Sequence, residues 1–130
     1  MKPMLKNNKG QNIVEFALVV PLLFLLVLGI AEFGRAWMTR NMLTGAAREA
    51  VRVAAVQPPV GGVQAAITRA TTLLASAGIT PKSVLPSEET VDGQTLVKVT
   101  IEYDFQPIAG KILKIGTIPL TCSTTMRKEY

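Results

Sequence analysis

Few side chains in this sequence have the type and the neighbours that chemistry requires. The chain has no histidine and a single cysteine, Cys122, so a Cys/His metal cluster cannot form. Glu88 and Glu89 are adjacent in an expected loop and read as solvation. Glu102 and Asp104 alternate along the polar side of an expected strand. Two carboxylates fall well short of the six to eight oxygens that calcium takes. Gly61–Gly62 reads as a turn without a phosphate-binding context. No catalytic residue, metal or cofactor is expected, and the chain is read as not an enzyme. Cys122 has no intramolecular disulfide partner. It reads first as a small buried apolar side chain in a strand, and second as a bridge between chains.

One charge remains unexplained. Phe16 to Ala31 is an uncharged, strongly apolar run of 16 residues, and Glu15 stands at its edge behind Ile13 and Val14. As a helix, 16 residues span about 24 Å, short of the roughly 30 Å hydrocarbon core of a bilayer. Starting at Ile13 gives 19 residues and about 28 Å, which nearly fits and draws Glu15 into the membrane boundary. Pro21 lies inside the run. It lacks an N–H and crowds the carbonyl of Ala17, but membrane helices tolerate proline, so a gently kinked single helix is expected.

Three fates fit such a segment: an uncleaved signal anchor, a signal peptide removed after Ala31, or cleavage after Gly10 that leaves Gln11 as the new N-terminus. Glu15 separates them. An acid at the head of the apolar run has no purpose in the first two. In the third it becomes the fifth residue of the mature chain.

The basic leader ending in Gly10, the glutamate five residues later and the long apolar helix resemble the type IV pilin class. The string GQNIVEFALVVPLLFLLVLGIAEFGRAWMTRNMLTGAAREAVRVAAV is similar to the TadE-like family. Gly10, Glu15, Phe16, Pro21, the EFGR at 32–35 and the AAREAVR at 46–52 carry the resemblance, with a looser one in the closing IPLTCSTTMRKEY. It implies a minor pilin or pseudopilin of the tight-adherence (Tad) pilus system. It also implies cleavage between Gly10 and Gln11 by a prepilin peptidase, and partnership with other pilin subunits and the pilus assembly platform. Glu15, Phe16 and Pro21 are then the candidate assembly and recognition residues.

Charge agrees with a membrane rather than a nucleic-acid partner. The formal net charge is +5, but Lys2, Lys6 and Lys9 all precede the apolar run, and without them 11 basic residues face 9 acidic ones. The basic footprint that nucleic acid needs is missing. The positive-inside rule puts those lysines in the cytoplasm. Arg35, Arg40, Arg48 and Arg52 follow the run, but Glu32 can reach Arg35 and Glu49 can reach Arg52 at i,i+3. The expected location is the cytoplasmic (inner) membrane, single-pass, N-terminus in, with the C-terminal part extracytoplasmic, and the pilus after assembly.

The elements that position these residues follow from periodicity. Residues 1–10 read as the leader and 11–57 as one long helix, its transmembrane part about 13–31, stopped by Pro58–Pro59. Phe33, Trp37 and Met38 make a bulky patch near the membrane surface, where tryptophan is favoured. Ala46, Ala50 and Ala54 recur every four residues, a seam for close helix packing against the chain's own domain or a neighbouring subunit. Residues 58–130 read as a small α+β domain. In it PPVGG is an expected turn, and Val63, Ala66, Ile67, Ala70, Leu73, Leu74 and Ala77 step as an amphipathic helix closed by Gly78. Ser83 to Leu85 is an edge strand at best before Pro86, and Asp92–Gly93 signals a hairpin. Val97, Val99, Ile101, Tyr103 and Phe105 alternate as the buried side of a strand. PIAGKILKIG is either loop or short helix. Ile118 to Met126 alternates again, with Leu120, Cys122, Thr124 and Met126 on one side. The expected fold is therefore α+β: a long helix and a second helix packed on an antiparallel sheet of about three strands. A core of this size is thin without disulfides, so the outer half of the long helix is expected to cover the sheet.

Overall fold

The computed structural model describes residues 9–57 and 59–128. Most of the leader, with Lys2 and Lys6, and the first of the two prolines, Pro58, lie outside the described residues. Helix α1 runs unbroken from Lys9 to Val56, 48 residues or about 72 Å. Pro21 sits within it without ending it. The last helical bond is Gln57 N–H to the Val53 carbonyl, 3.2 Å. Two prolines follow in the sequence, and the residue before a proline is pushed out of helical geometry.

Helix α2 spans Pro59–Ser76, which corrects the expected PPVGG turn. A proline at the first helical position loses no bond, because that N–H has no intrahelical acceptor, and its φ is already helical. The glycine pair is inside the helix for a different reason. A Cβ on Gly62 would stand 3.3 Å from the carbonyl oxygens of both Ala54 and Gln57, so glycine lets α2 approach the end of α1. Ala66, Ala70 and Leu74 are buried on the inner face of α2, whereas Val63 and Ala77 stay exposed. Gly78, at φ 71°, closes the helix as expected. Its N–H and that of Ile79 return to the carbonyls of Ala75 and Leu74, which satisfies orphaned acceptors.

The sheet has three antiparallel strands in the order β1 (Ser83–Val91), β2 (Gln94–Phe105), β3 (Ile118–Arg127). Asp92 and Gly93 both have positive φ, 52° and 76°, as a two-residue hairpin of matching twist requires. Strand β1 is longer than expected. It passes through Pro86, which pairs with Val99, and an edge strand tolerates the missing donor. Glu88 and Glu89 are therefore strand residues, not loop. Glu88 accepts from Lys128 Nζ at 2.8 Å, a cross-sheet pair that no local pattern reveals. PIAGKILKIG resolves into a short helix, α3 (Ile108–Leu113), closed by Lys114 in the left-handed region.

One face of the sheet is covered by α2 and the outer half of α1. Val97, Val99, Ile101 and Phe105 of β2 are buried there, with Cys122 of β3. Val97, Val99, Ile101 and Cys122 share one core cluster with Leu43, Ala46, Ala47, Ala50, Val51 and Ala54 of α1. The alanine seam thus packs inside the chain's own core. Small side chains let two helices and a sheet approach closely enough to exclude water. Cys122 is buried as first read. Its sulfur lies 3.5 Å from Thr44 Oγ1 and 3.8 Å from the Arg40 carbonyl.

Helices α1 and α2 are also joined by charge. Glu49 accepts from Arg52 at 3.1 Å, as the i,i+3 spacing predicts, and from Arg69 of α2 at 3.3 Å. The Arg52 hydrogen bonds hold the Glu49 carboxyl below its ordinary value of 4.5, against a smaller opposing effect of burial, and Arg69 adds to the lowering. A carboxyl lowered on folding contributes stability that is fully present above its unfolded value and is lost as pH falls through the folded value. The Glu49→Gln variant is expected to melt slightly lower than wild type at neutral pH, because both arginines are solvent-exposed and Glu49 is only half-buried, so water screens the pairs. The gap should close as the pH falls below 4.5. A constant gap across that range in thermal melts would show that the charge of Glu49 has no part in holding the helices.

Candidate functional site

The candidate site occupies the first three turns of α1. Gly10, Gln11, Val14, Glu15 and Leu18 share one side of the helix, which is where the i, i+4, i+8 spacing places them. Glu15 is exposed and, among the described residues, makes no ion pair. Phe16 is exposed on the adjoining side. Pro21 follows within the same uninterrupted helix. The structure thus brings Gly10, Gln11 and Glu15 to one surface, and among the described residues only those of α1 line it.

That surface is apolar without a cover. From Ile13 through Ile30 the large apolar side chains other than Leu28 are exposed, including Leu18, Leu22, Phe24 and Val27. The helix is long and apolar enough to cross a membrane once, and its most apolar window has no part buried. Exposed apolar area of this extent is unfavourable in water at roughly 25 cal/mol per Å², so its natural surroundings are lipid or other helices. In either, a lone carboxylate is costly. Chemically the site offers an ion-pairing carboxylate and a packing surface.

A second cluster stands where the apolar run ends. The Glu32 carboxylate accepts from the backbone N–H groups of Ile108 and Ala109, 2.6 and 3.2 Å, and from Arg35 at 3.2 Å. The Glu32 side chain is only 12% exposed. Arg35 lies 5.1 Å above the ring of Phe105, a cation–π distance. The first N–H groups of a helix have no intrahelical partner and attract negative charge. The residue before α3 is Pro107, which provides no side-chain cap, so α3 takes its acceptor from a helix 76 residues earlier. Sequence reasoning paired Glu32 with Arg35 but missed this contact. The uncapped start of α3 is a signal that an acceptor comes from elsewhere, but it does not say from where.

Residues 10–52 match the model of a family described as TadE-like protein. The match covers the site and α1 as far as Arg52, and stops before α2 and the sheet. No curated protein and no solved structure matches the chain.

Proposed function

We propose that this chain, which carries a TadE-like segment over residues 10–52, is a minor pilin or pseudopilin, a membrane-inserted subunit that enters or primes a Tad-type pilus. The TadE-like family is pilus-associated and structural rather than enzymatic. The observation that carries the reading is Glu15, an acid on the same bare helix face as Gly10 and Gln11 at the head of a membrane-length run.

In this reading a prepilin peptidase cuts between Gly10 and Gln11. Cleavage creates an ammonium one helical turn from Glu15. While the subunit waits in the cytoplasmic membrane, residues 13–31 span the bilayer and the sheet domain stands outside. On assembly the Glu15 carboxylate pairs with the Gln11 ammonium of a neighbouring subunit. An unpaired charge at membrane depth costs about 2.5–3.5 kcal/mol on insertion scales. Pairing offsets much of that and favours one axial register over others. The pilus assembly platform and the other pilin subunits are the partners this mechanism requires.

The N-terminal residue of the protein recovered from membranes tests the proposal. A start at Gln11 is the expected result. A start at Met1 would make the chain an uncleaved, signal-anchored accessory protein, and a start at Glu32 a released domain. The contacts of Glu32 with α3 and Arg35 argue against the last, because cutting beside Glu32 would free the helix end that presents it.

A further inference from the structure

The tie between Glu32 and α3 has a geometric consequence for the outer domain. Glu32 is the first charged residue after the apolar run, and the Cα–Cβ bonds of a helix tilt toward its N-terminus. Its carboxylate therefore reaches back toward the end of that run. The backbone N–H groups of Ile108 and Ala109 are bonded to that carboxylate, so the start of α3 stands level with the end of the apolar segment. Strand β3 extends from there outward. Ile118 pairs with Phe105, which lies under Arg35, whereas Cys122 reaches Arg40 and Thr44 farther along α1. The strand end at Arg127, next to the β1–β2 hairpin, is nine residues beyond Ile118, or about 30 Å.

The end of the domain level with the apolar run is itself apolar on its surface. Ile108 is 57% and Ile115 51% exposed. Phe33 and Trp37, stacked at 6.2 Å, are 70% and 56% exposed on α1 at the same level. Lys114 is exposed between the two isoleucines in sequence. Apolar and aromatic side chains beside a basic one match a lipid interface, where isoleucine and tryptophan leave water and lysine meets phosphate. The opposite end of the sheet is more mixed: Val91 and Met126 are exposed there, but beside the Glu88–Lys128 pair and the Asp92–Gly93 turn, and without an aromatic pair.

We propose that segment 106–117, held to α1 by Glu32, rests on the bilayer surface where α1 emerges, with Ile108 and Ile115 entering the lipid interface. The chain then has two membrane contacts, the spanning helix and this foot. The foot fixes the tilt and rotation of the sheet domain above the membrane, which a helix alone leaves free. The proposal rests on residues 13–31 spanning the bilayer.

Tryptophan quenching by lipid tests both steps separately. Trp37 is the only tryptophan, so single reporters are placed in a Trp37→Phe background of the full chain. The protein is reconstituted into phosphatidylcholine–phosphatidylglycerol vesicles carrying bromine at shallow or deep acyl positions. Leu23→Trp is expected to lose emission to deep bromines, and Ile115→Trp to lose emission to shallow ones. Ile108→Trp is a second reporter on the foot with the same expectation, and Val91→Trp at the hairpin should keep its emission. If both foot reporters stay as bright as Val91→Trp while Leu23→Trp is quenched, the foot is overturned, its apolar surface is left for a protein neighbour, and the spanning helix stands. If Leu23→Trp itself is unquenched, the spanning reading fails and the foot fails with it.

Discussion

Replacing Glu15 by alanine is expected to lower incorporation of this chain into pili at least about tenfold, while its insertion in the membrane is kept or improved. The two effects separate because the carboxylate has opposite roles in the two settings. In lipid it is a charge without a partner among the described residues, and losing it removes a cost that reaches about 2.5–3.5 kcal/mol at the centre of a membrane helix and is smaller at its boundary. In the proposed assembled state it is the counter-charge for a neighbour's ammonium, and its loss leaves that ammonium alone. Each 1.4 kcal/mol is about tenfold in an association constant, so the stated loss requires pairing to recover about 1.4 kcal/mol. Quantifying the variant in sheared pili and in membranes checks both halves. Incorporation at the wild-type level would sink the ion-pair mechanism, whatever the N-terminus proves to be. Phe16→Ala, which leaves the charge in place, is expected to have a much smaller effect in the same assay.

Residues 58–130 produced without α1 are expected not to fold, whereas a chain beginning at Ala36 should fold in water. This expectation follows from where the core lies. Among the described residues, seven of the seventeen buried apolar side chains belong to α1: Leu43, Ala46, Ala47, Ala50, Val51, Ala54 and Ala55. Without them Val97, Val99 and Ile101 face water on the covered side of the sheet, and α2 loses the helix it packs on. A chain of some seventy residues has little margin even with a complete core. Circular dichroism and thermal melts distinguish the cases: a cooperative transition for the longer fragment and none for the shorter. A cooperative melt of the shorter fragment would mean that the sheet and α2 suffice, and that α1 is only an anchor. The Ala36 start also discards Glu32 and Arg35, so α3 is expected to fray in that fragment while the core persists.

Several elements were legible because their causes are local. The Asp92–Gly93 hairpin follows from two residues that tolerate positive φ, and Gly78 from the same property at a helix end. The alternation from Val97 to Phe105 is a period of two that matches the pleat, and the burial follows it. The i,i+3 pairs Glu32–Arg35 and Glu49–Arg52 need only helix geometry. The readings that failed were those in which one residue type serves two purposes. Glycine marks turns more often than helix contacts, so Gly61–Gly62 reads as a turn from sequence alone. Only the nearness of Ala54 and Gln57 shows why Gly62 is in a helix. Glu88 and Glu89 looked like loop because a proline and two acids precede a turn, and β1 exists because β2 offers it a partner along its whole length.

The candidate site divides along the same line. Gly10, Gln11 and Glu15 are brought together by the helix period alone, so the sequence by itself determined that an acid stands on one face with the cleavage candidate at the head of a membrane-length run. It also determined the α+β class, because helical and alternating periods occupy separate parts of the chain. Tertiary structure decided that the alanine seam is spent inside the chain's own core, since its neighbours Ala66, Ala70 and Ile101 lie in elements distant in sequence. It also decided that Glu32 caps α3, a bond between residues 76 positions apart. No periodicity encodes a contact between elements whose relative placement depends on all the others. That contact sets the sheet domain against the end of the apolar run.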